Sequence, residues 1–154
     1  MLEIPIRQKQ KKALELIPDA KIQNSKDACA LSEVIVITTP ADSVIELISQ
    51  LSDVANKTII DTTNAIRVRL EPYPTAYHAL KDLIKSEKIV KCFNSTGFEN
   101  MINPVYNGNG IDMFCVGNSK EAKDLASSLA KEIGFADCWD FGGDDKVELL
   151  ENLH

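Results

Sequence analysis

Three stretches of the sequence place small polar residues directly at the end of an apolar run. The most pronounced is Asn94-Ser95-Thr96-Gly97, which follows the apolar run Ile89–Phe93. The others are Thr38-Thr39-Pro40 and Asp61-Thr62-Thr63-Asn64, which close two further apolar runs. Their amide, hydroxyl and main-chain groups can donate and accept hydrogen bonds, so together they could bind an extended ligand.

These stretches contain no evident nucleophile or general base. Asp61 is their only ionisable residue, and we expect it to have a structural role. A binding ridge without an acid, a base or a metal suits a reaction in which a bound cofactor does the chemistry, such as hydride transfer. The alternative interpretation is an ordinary polar turn that binds nothing.

The apolar runs themselves predict β-strands. Glu33–Thr39 reads E-V-I-V-I-T-T, and such a continuous run is typical of a parallel strand that is buried on both faces. Similar runs predict strands over Leu2–Ile6, Ala20–Gln23, Lys57–Thr62, Ile89–Phe93, Ile111–Val116 and Ala136–Phe141.

Helical patterns lie between these runs. We predict helices over Gln8–Ile17, Ser25–Leu31, the segment from Pro40 to Leu51, Thr75–Ser86, Asn118–Ile133 and Lys146–His154. Thr39 is expected to cap the helix after Pro40, and Asn118 with Glu121 resembles a capping box. Gly134 is expected to end the longest helix.

Strands that alternate with helices predict an α/β fold. We expect a single domain over residues 1–154 with a Rossmann-like, mostly parallel sheet and helices on both faces. In such a sheet the carboxyl ends of neighbouring strands lie along one edge, where ligands bind. At roughly 4.8 Å per strand, the three polar stretches would form a ridge about 15 Å long.

Charge and hydropathy exclude several classes of partner. The net charge of -6 argues against binding to nucleic acid or to an anionic membrane surface, although a local basic cluster can still bind a small anionic ligand. No apolar run approaches the ~20 residues that span a bilayer. The N-terminus lacks the pattern of a signal peptide, so we expect a cytoplasmic protein.

The cysteines and histidines do not indicate a metal site. Cys29, Cys92, Cys115 and Cys138 form no C-x-x-C pair, and we predict buried, reduced thiols. Neither of the two histidines has a partner at ligand spacing, so no zinc or iron site is predicted.

Five segments, in order along the chain, carry a family resemblance. They are V-I-V-I-T-T-P-A-D-S-V, K-T-I-I-D-T-T-N, I-V-K-C-F-N-S-T-G-F-E-N-M, I-D-M-F-C-V-G-N-S-K-E-A-K and L-A-K-E-I-G-F. Together they closely resemble the NADP-binding domain of the deazaflavin (coenzyme F420)-dependent NADP reductases, over roughly residues 6–153. The segment around Asn94 is the most specific of the five.

The resemblance implies hydride transfer between NADP(H) and a flavin-like or deazaflavin cofactor. It implies that Thr39 and Pro40 lie along the NADP backbone and that Asn64 lies near the nicotinamide ribose. The residues that it implies at the nicotinamide ring are Asn94, Ser95, Thr96 and Gly97. It assigns no residue as a catalytic acid, base or nucleophile.

Arg7 and Lys11 have the spacing of the pair that binds the 2′-phosphate of NADP in this family. Ile6 stands where the family has a serine. The alternative interpretation of Arg7 and Lys11 is a solvated, basic start of a helix.

The main departure from the family is an absence. The family begins with a strand and a G-x-G-x-x-G loop, and neither has a counterpart in this sequence, whose first glycine is Gly97. We therefore expect an incomplete dinucleotide-binding domain, and a misassigned start, a deliberately shortened chain and a short paralogue all stay open. A non-catalytic binding or assembly module is the alternative function.

The Glu33–Thr39 strand would have a bare edge, so we expect residues 1–24 to be the least securely placed and a homodimer to be possible.

Overall fold

The computed structural model of the chain describes residues 11, 14–65, 68, 70–84 and 86–153. Three parallel strands form the first part of its main sheet. These are β1 (Val34–Ile37), β2 (Thr58–Asp61) and β3 (Ile89–Cys92), which pair in sequence order. Every residue of β2 and β3 is buried, which is why both read as short, nearly continuous apolar runs.

Helices on one face accompany these strands. They are α1 (Ser25–Leu31), α2 (Val44–Gln50) and α3 (Ala76–Ile84). Each strand-to-strand connection contains one of these helices, α2 between β1 and β2 and α3 between β2 and β3, which is how parallel strands are joined.

The second half of the sheet runs in the opposite direction. After β3 the chain forms α4 (Phe98–Ile102), the hairpin β4 (Val105–Tyr106) and β5 (Asn109–Gly110), and then β6 (Met113–Val116). It continues through α5 (Lys120–Ile133), β7 (Cys138–Asp140) and α6 (Val147–Glu151). The five-stranded sheet has the order β1-β2-β3-β6-β7.

The predicted fold class, Rossmann-like with a mostly parallel sheet and helices on its faces, is confirmed, but one pairing differs. β6 pairs antiparallel with β3, whereas β7 pairs parallel with β6. The parallel pairing of the mostly parallel sheet is therefore interrupted once, between β3 and β6. Between β3 and β6 the chain makes only a five-residue helix and a hairpin instead of a crossover helix, so it returns beside β3 in the reverse direction.

Two apolar cores lie on opposite faces of the sheet. One core joins β1–β3 to α2, α3 and α6, with Val44, Tyr77 and Leu150 almost fully buried. The other joins β2, β3, β6 and β7 to α5, through Ala122, Ala126 and Ala130 of that helix. On the α5 side Val36 of β1 remains 49% exposed, so this part of the sheet is open among the described residues.

The predicted elements before α1 have different outcomes. Residues 20–24 form no strand, and the predicted strand Leu2–Ile6 lies outside the described residues. Of the predicted helix Gln8–Ile17, residues 11 and 14–16 are helical.

The predicted helix caps also need correction. A short 3-10 helix, Ala41–Ser43, follows Pro40, and the Thr39 hydroxyl does not cap it. Ser119, rather than Asn118, caps α5 by accepting a hydrogen bond from the Ala122 N–H. Gly134 does end α5, with a φ of 112° that favours glycine.

All four cysteines are buried and unpaired, and three of them lie close together on β3, β6 and β7. The Sγ atoms of Cys92 and Cys138 are 4.0 Å apart. A hydrogen bond from Cys115 lowers the pKa of Cys138, but the hydrogen bond to Cys92 and burial outweigh it and raise that pKa to about 12. The pKa of Cys115 is also raised, by its hydrogen bond to Cys138 and by burial. Protonated, buried thiols of this kind are chemically inert.

The described helices include none with the length and apolar character that a membrane span requires.

Candidate functional site

The three predicted polar stretches meet along one edge of the sheet. The parallel register sets Ile37 beside Asp61 and Asp61 beside Lys91, so β1, β2 and β3 end side by side. The Thr62 hydroxyl donates a hydrogen bond to the Ile37 carbonyl at 2.9 Å, which ties the first two strand ends together.

Asn64 and Asn94 form a reciprocal pair that ties the second and third strand ends together. Asn64 Nδ2 donates to the Asn94 carbonyl at 2.7 Å, and Asn94 Nδ2 donates to Asn64 Oδ1 at 3.0 Å. Asn94 is only 3% exposed, and its Oδ1 has no hydrogen-bond partner among the described residues. A buried acceptor without a donor is costly and uncommon in native proteins, so this oxygen is free to accept a hydrogen bond from a water molecule or a ligand.

Phe93 turns the chain between β3 and Asn94. It has a φ of 61°, a left-handed conformation that is uncommon for a large side chain and costs about 1–3 kcal/mol. Its ring packs against Phe135 at a centroid distance of 6.4 Å, which helps to hold this conformation. The sequence pattern gave no signal for this turn, because Phe93 read as the last residue of a strand.

A cleft of about 500 Å³ lies on the open face of the sheet, beside this ridge. Its floor and walls are mainly apolar, with three threonines from the strand ends. The lining residues are Val36, Thr38, Ile60, Thr62, Phe93, Thr96, Phe98, Met101, Leu129 and Ile133. Mainly apolar walls with a few polar groups are typical of sites for small molecules and cofactors.

The remaining predicted residues contribute unequally. The Thr39 hydroxyl is buried without a hydrogen-bond partner among the described residues, and Pro40 is exposed beside it. The Ser95 hydroxyl points to the Met113 sulfur at 3.6 Å instead of outward. Thr96 and Gly97 do lie in the turn that borders the cleft. Thr96 accepts a hydrogen bond from Asn100, and Gly97 is the N-cap residue that precedes α4.

The predicted 2′-phosphate pair is not tested by this geometry. Arg7 lies outside the described residues, and Lys11 is exposed.

Sequence reasoning missed a buried lysine below the ridge. Lys91 lies in the middle of β3, and its side chain is completely buried. Its Nζ atom is 2.7 Å from each of Asp61 Oδ2, the Thr63 carbonyl and Glu151 Oε1. Asp61 therefore has structural partners, as expected. The signal that could have revealed Lys91 was a single charged residue inside the apolar run I-V-K-C-F, because buried lysine is almost always paired.

The part of the chain that the structure describes contains no group of three or more His, Cys, Asp or Glu residues arranged to hold a metal ion.

Comparisons with known proteins support the family resemblance. Residues 4–65 match the family model described as NADP oxidoreductase coenzyme F420-dependent. The F420-dependent NADP reductase of Methanocaldococcus jannaschii is 23% identical over 162 residues, which cover 93% of this chain and 71% of the relative. The match to this relative extends beyond residue 65, where the match to the family model ends.

Solved structures agree on the fold. A protein assigned as an F420-dependent NADP-reductase from Arthrobacter sp. FB24 superposes with a TM-score of 0.79 at 22% identity, covering 93% of this chain and 69% of that one. A pyrroline-5-carboxylate reductase from Coxiella burnetii gives a TM-score of 0.61 at 15% identity, covering 90% of this chain and 47% of that one. At these identities the likeness supports the Rossmann-like fold alone.

Proposed function

Residues 4–65 match the coenzyme F420-dependent NADP oxidoreductase family, and from this relationship we propose that the chain is an NADP-binding oxidoreductase domain. Its reaction is hydride transfer between NADP(H) and a deazaflavin or flavin-like cofactor. The observation that carries the proposal is the buried Asn94 Oδ1 at the end of β3, which has no hydrogen-bond partner among the described residues and lies beside a mainly apolar cleft.

The residues at this edge suit a nicotinamide. A carboxamide N–H₂ group is a donor of the kind that Asn94 Oδ1 lacks, and the apolar cleft lined by Ile60 and Phe93 suits the faces of planar rings. The bound cofactor supplies the hydride chemistry, so the site needs no acid or base of its own. In the proposal Asn94 orients the ring, Asn64 holds Asn94, and the apolar cleft excludes water.

Affinity for NADPH against NADH tests the proposed cofactor. Arg7 and Lys11 would each bind the 2′-phosphate, and hydrogen bonds to a charged group contribute about 1.5–3 kcal/mol. We therefore expect calorimetric titration to give a tighter dissociation constant for NADPH than for NADH, by at least about tenfold. Replacing both residues by alanine should remove that difference and leave NADH binding unchanged. Equal affinity for both nucleotides in the unsubstituted chain would remove the role proposed for Arg7 and Lys11.

A non-catalytic binding or assembly module is the second candidate function. It is favoured by one observation: the 154 residues contain no G-x-G-x-x-G, so the main-chain contacts that such a loop gives to a pyrophosphate are missing. Steady-state oxidation of NADPH, with flavin and deazaflavin acceptors, discriminates between the two candidates. Measurable turnover supports the oxidoreductase, whereas NADPH binding without turnover on any acceptor supports the module.

A further inference from the structure

We infer that Lys91 is a positioning residue for the proposed nicotinamide site, acting through the segment 63–65 that carries Asn64. This inference rests on the proposed function and deepens it. Lys91 belongs to none of the three polar stretches, and its side chain is completely buried on the face of the sheet opposite the cleft. A lysine in that position needs a reason, because burying a charge is costly unless it is paired.

The contacts of Lys91 join three separate elements. Its Nζ donates hydrogen bonds to Asp61 Oδ2 on β2 and to the Thr63 carbonyl, both at 2.7 Å. Glu151 Oε1, on α6, also lies 2.7 Å from Nζ but outside hydrogen-bond angles, so that contact is ionic. Strand β2, the loop that follows it and helix α6 therefore share one ammonium group.

The same three charged residues fix the backbone on both sides of Asn64. Asp61 Oδ1 accepts a hydrogen bond from the Thr63 N–H, and Glu151 Oε2 accepts one from the Ala65 N–H, both at 2.9 Å. Together with the Thr63 carbonyl bound to Lys91, three main-chain groups are held by charged partners. Hydrogen bonds with an ionised partner are about twice as strong as neutral ones, so this segment is held firmly.

Asn64 connects this firmly held segment to the proposed site. Its side chain makes two hydrogen bonds to Asn94, whose Oδ1 is the proposed contact for the nicotinamide carboxamide. Well-packed apolar residues often match or exceed a buried ion cluster in stability, so stability alone does not account for Lys91. The geometry that Lys91 imposes on the segment 63–65 accounts for it.

Lys91→Met in the full chain tests the inference, because methionine keeps a similar length and removes the charge. Lys123→Met is the matched control: Lys123 Nζ also lies 2.7 Å from a carboxylate, Asp140 Oδ2, but the side chain of Asp140 is 58% exposed. Calorimetry with two probes separates positioning from general damage. NADPH carries the nicotinamide, whereas adenosine 2′,5′-bisphosphate carries only the phosphate and adenine end.

We expect Lys91→Met to weaken NADPH binding by about tenfold or more, since small misplacements of positioning groups have effects of this size or larger. Binding of the bisphosphate should change by less than about twofold, and Lys123→Met should change neither. Amide hydrogen exchange at Thr63 and Ala65 should become faster in Lys91→Met, while exchange at Val90 in the core of β3 stays slow.

A second variant covers the possibility that two buried carboxylates without Lys91 prevent folding. Asp61→Val, Lys91→Met and Glu151→Leu together replace the cluster by apolar residues, a change that folded proteins can tolerate. The same selective loss of NADPH binding is expected. NADPH affinity that is unchanged in either folded variant would overturn the positioning role, and so would an equal loss of affinity for both probes. Neither result would overturn the proposed function. A wild-type chain that binds neither probe would overturn the proposed function, and with it this inference.

Discussion

Asn94 is the residue on which the proposed site depends. Its Nδ2 and its carbonyl are both used by Asn64, which leaves Oδ1 as its one buried polar atom without a partner among the described residues. The side chain is therefore held in one orientation by a neighbour while its acceptor stays available. This arrangement suits a group that must orient a ligand, because the ordering of the side chain is complete before the ligand binds.

Replacing Asn94 with leucine keeps a similar volume and removes the acceptor. We expect hydride transfer, measured as NADPH oxidation, to fall by about 100-fold, since the ring would lose its orienting contact. The free energy of unfolding should also fall by about 1–3 kcal/mol, because Asn64 Oδ1 loses its donor. Thr58→Val is the control, since Thr58 is a buried polar residue at the opposite end of β2. Unchanged turnover in folded Asn94→Leu would mean that Asn94 forms part of a polar turn and does not orient the nicotinamide ring.

Residue types at this site were predictable, but their partnerships were not. Short polar stretches after apolar runs placed Asn64 and Asn94 near one another, because strand ends align in a parallel sheet. Nothing in the sequence specified that the two amides bind each other, that the Ser95 hydroxyl turns toward Met113, or that Phe93 adopts a left-handed conformation. Those details depend on side-chain packing across elements far apart in sequence.

At the scale of elements, the turn from β6 into α5 depends on Gly117. This residue has a φ of 147°, and a Cβ added there would lie 2.9 Å from both the Ile89 carbonyl oxygen and the Tyr77 hydroxyl oxygen. Tyr77 is fully buried and donates a hydrogen bond to Asp144 Oδ1 at 2.6 Å. Burial and this hydrogen bond raise the pKa of Tyr77, so the hydroxyl stays protonated at physiological pH.

Gly117→Ala and Gly108→Ala form a matched pair. Gly108 also has a positive φ, of 80°, but no atom lies within 4 Å of an added Cβ. We expect Gly108→Ala to lower the free energy of unfolding by about 1–2 kcal/mol through backbone strain alone, and Gly117→Ala by about 2–5 kcal/mol because the clash is added. Urea denaturation with equal m-values measures the difference. Equal losses would show that Tyr77 and the Ile89 carbonyl move aside at little cost.

The direction of β6 shows why element order alone did not determine topology. The strand Ile111–Val116 was predicted close to its observed position, but its pairing direction depends on whether the preceding segment crosses the sheet. The segment from Met101 to Gly110 contains the end of α4 and a hairpin. Both are too short to act as a crossover, so they stay at the edge where β3 ends.

In the whole molecule, the outer side of β1 is an exposed part of the sheet. Val36 is 49% exposed, and Leu16, Ile17 and Leu31, which precede β1, are each more than 60% exposed. β1 pairs only with β2 among the described residues, so its other edge offers free main-chain donors and acceptors there.

We predict that the 154-residue chain forms homodimers through this edge. Sedimentation velocity over a concentration series should show a shift from monomer to dimer, because pairing of two edge strands would satisfy their main-chain groups. Val36→Lys should weaken the association, since a charge on an edge strand opposes pairing. Val105→Lys, at a similarly exposed valine on the β4–β5 hairpin, should leave it unchanged. A chain that stays monomeric at every concentration would contradict the prediction.

The most direct test of the proposed site is the response of the Asn94 side-chain amide to nucleotides, measured by nuclear magnetic resonance on ¹⁵N-labelled protein. We expect NADPH to shift the side-chain signals of Asn94 and Asn64, whereas adenosine 2′,5′-bisphosphate, which lacks the nicotinamide, should leave them in place. NADPH that binds without shifting either signal would contradict this expectation, since the nicotinamide would then lie elsewhere.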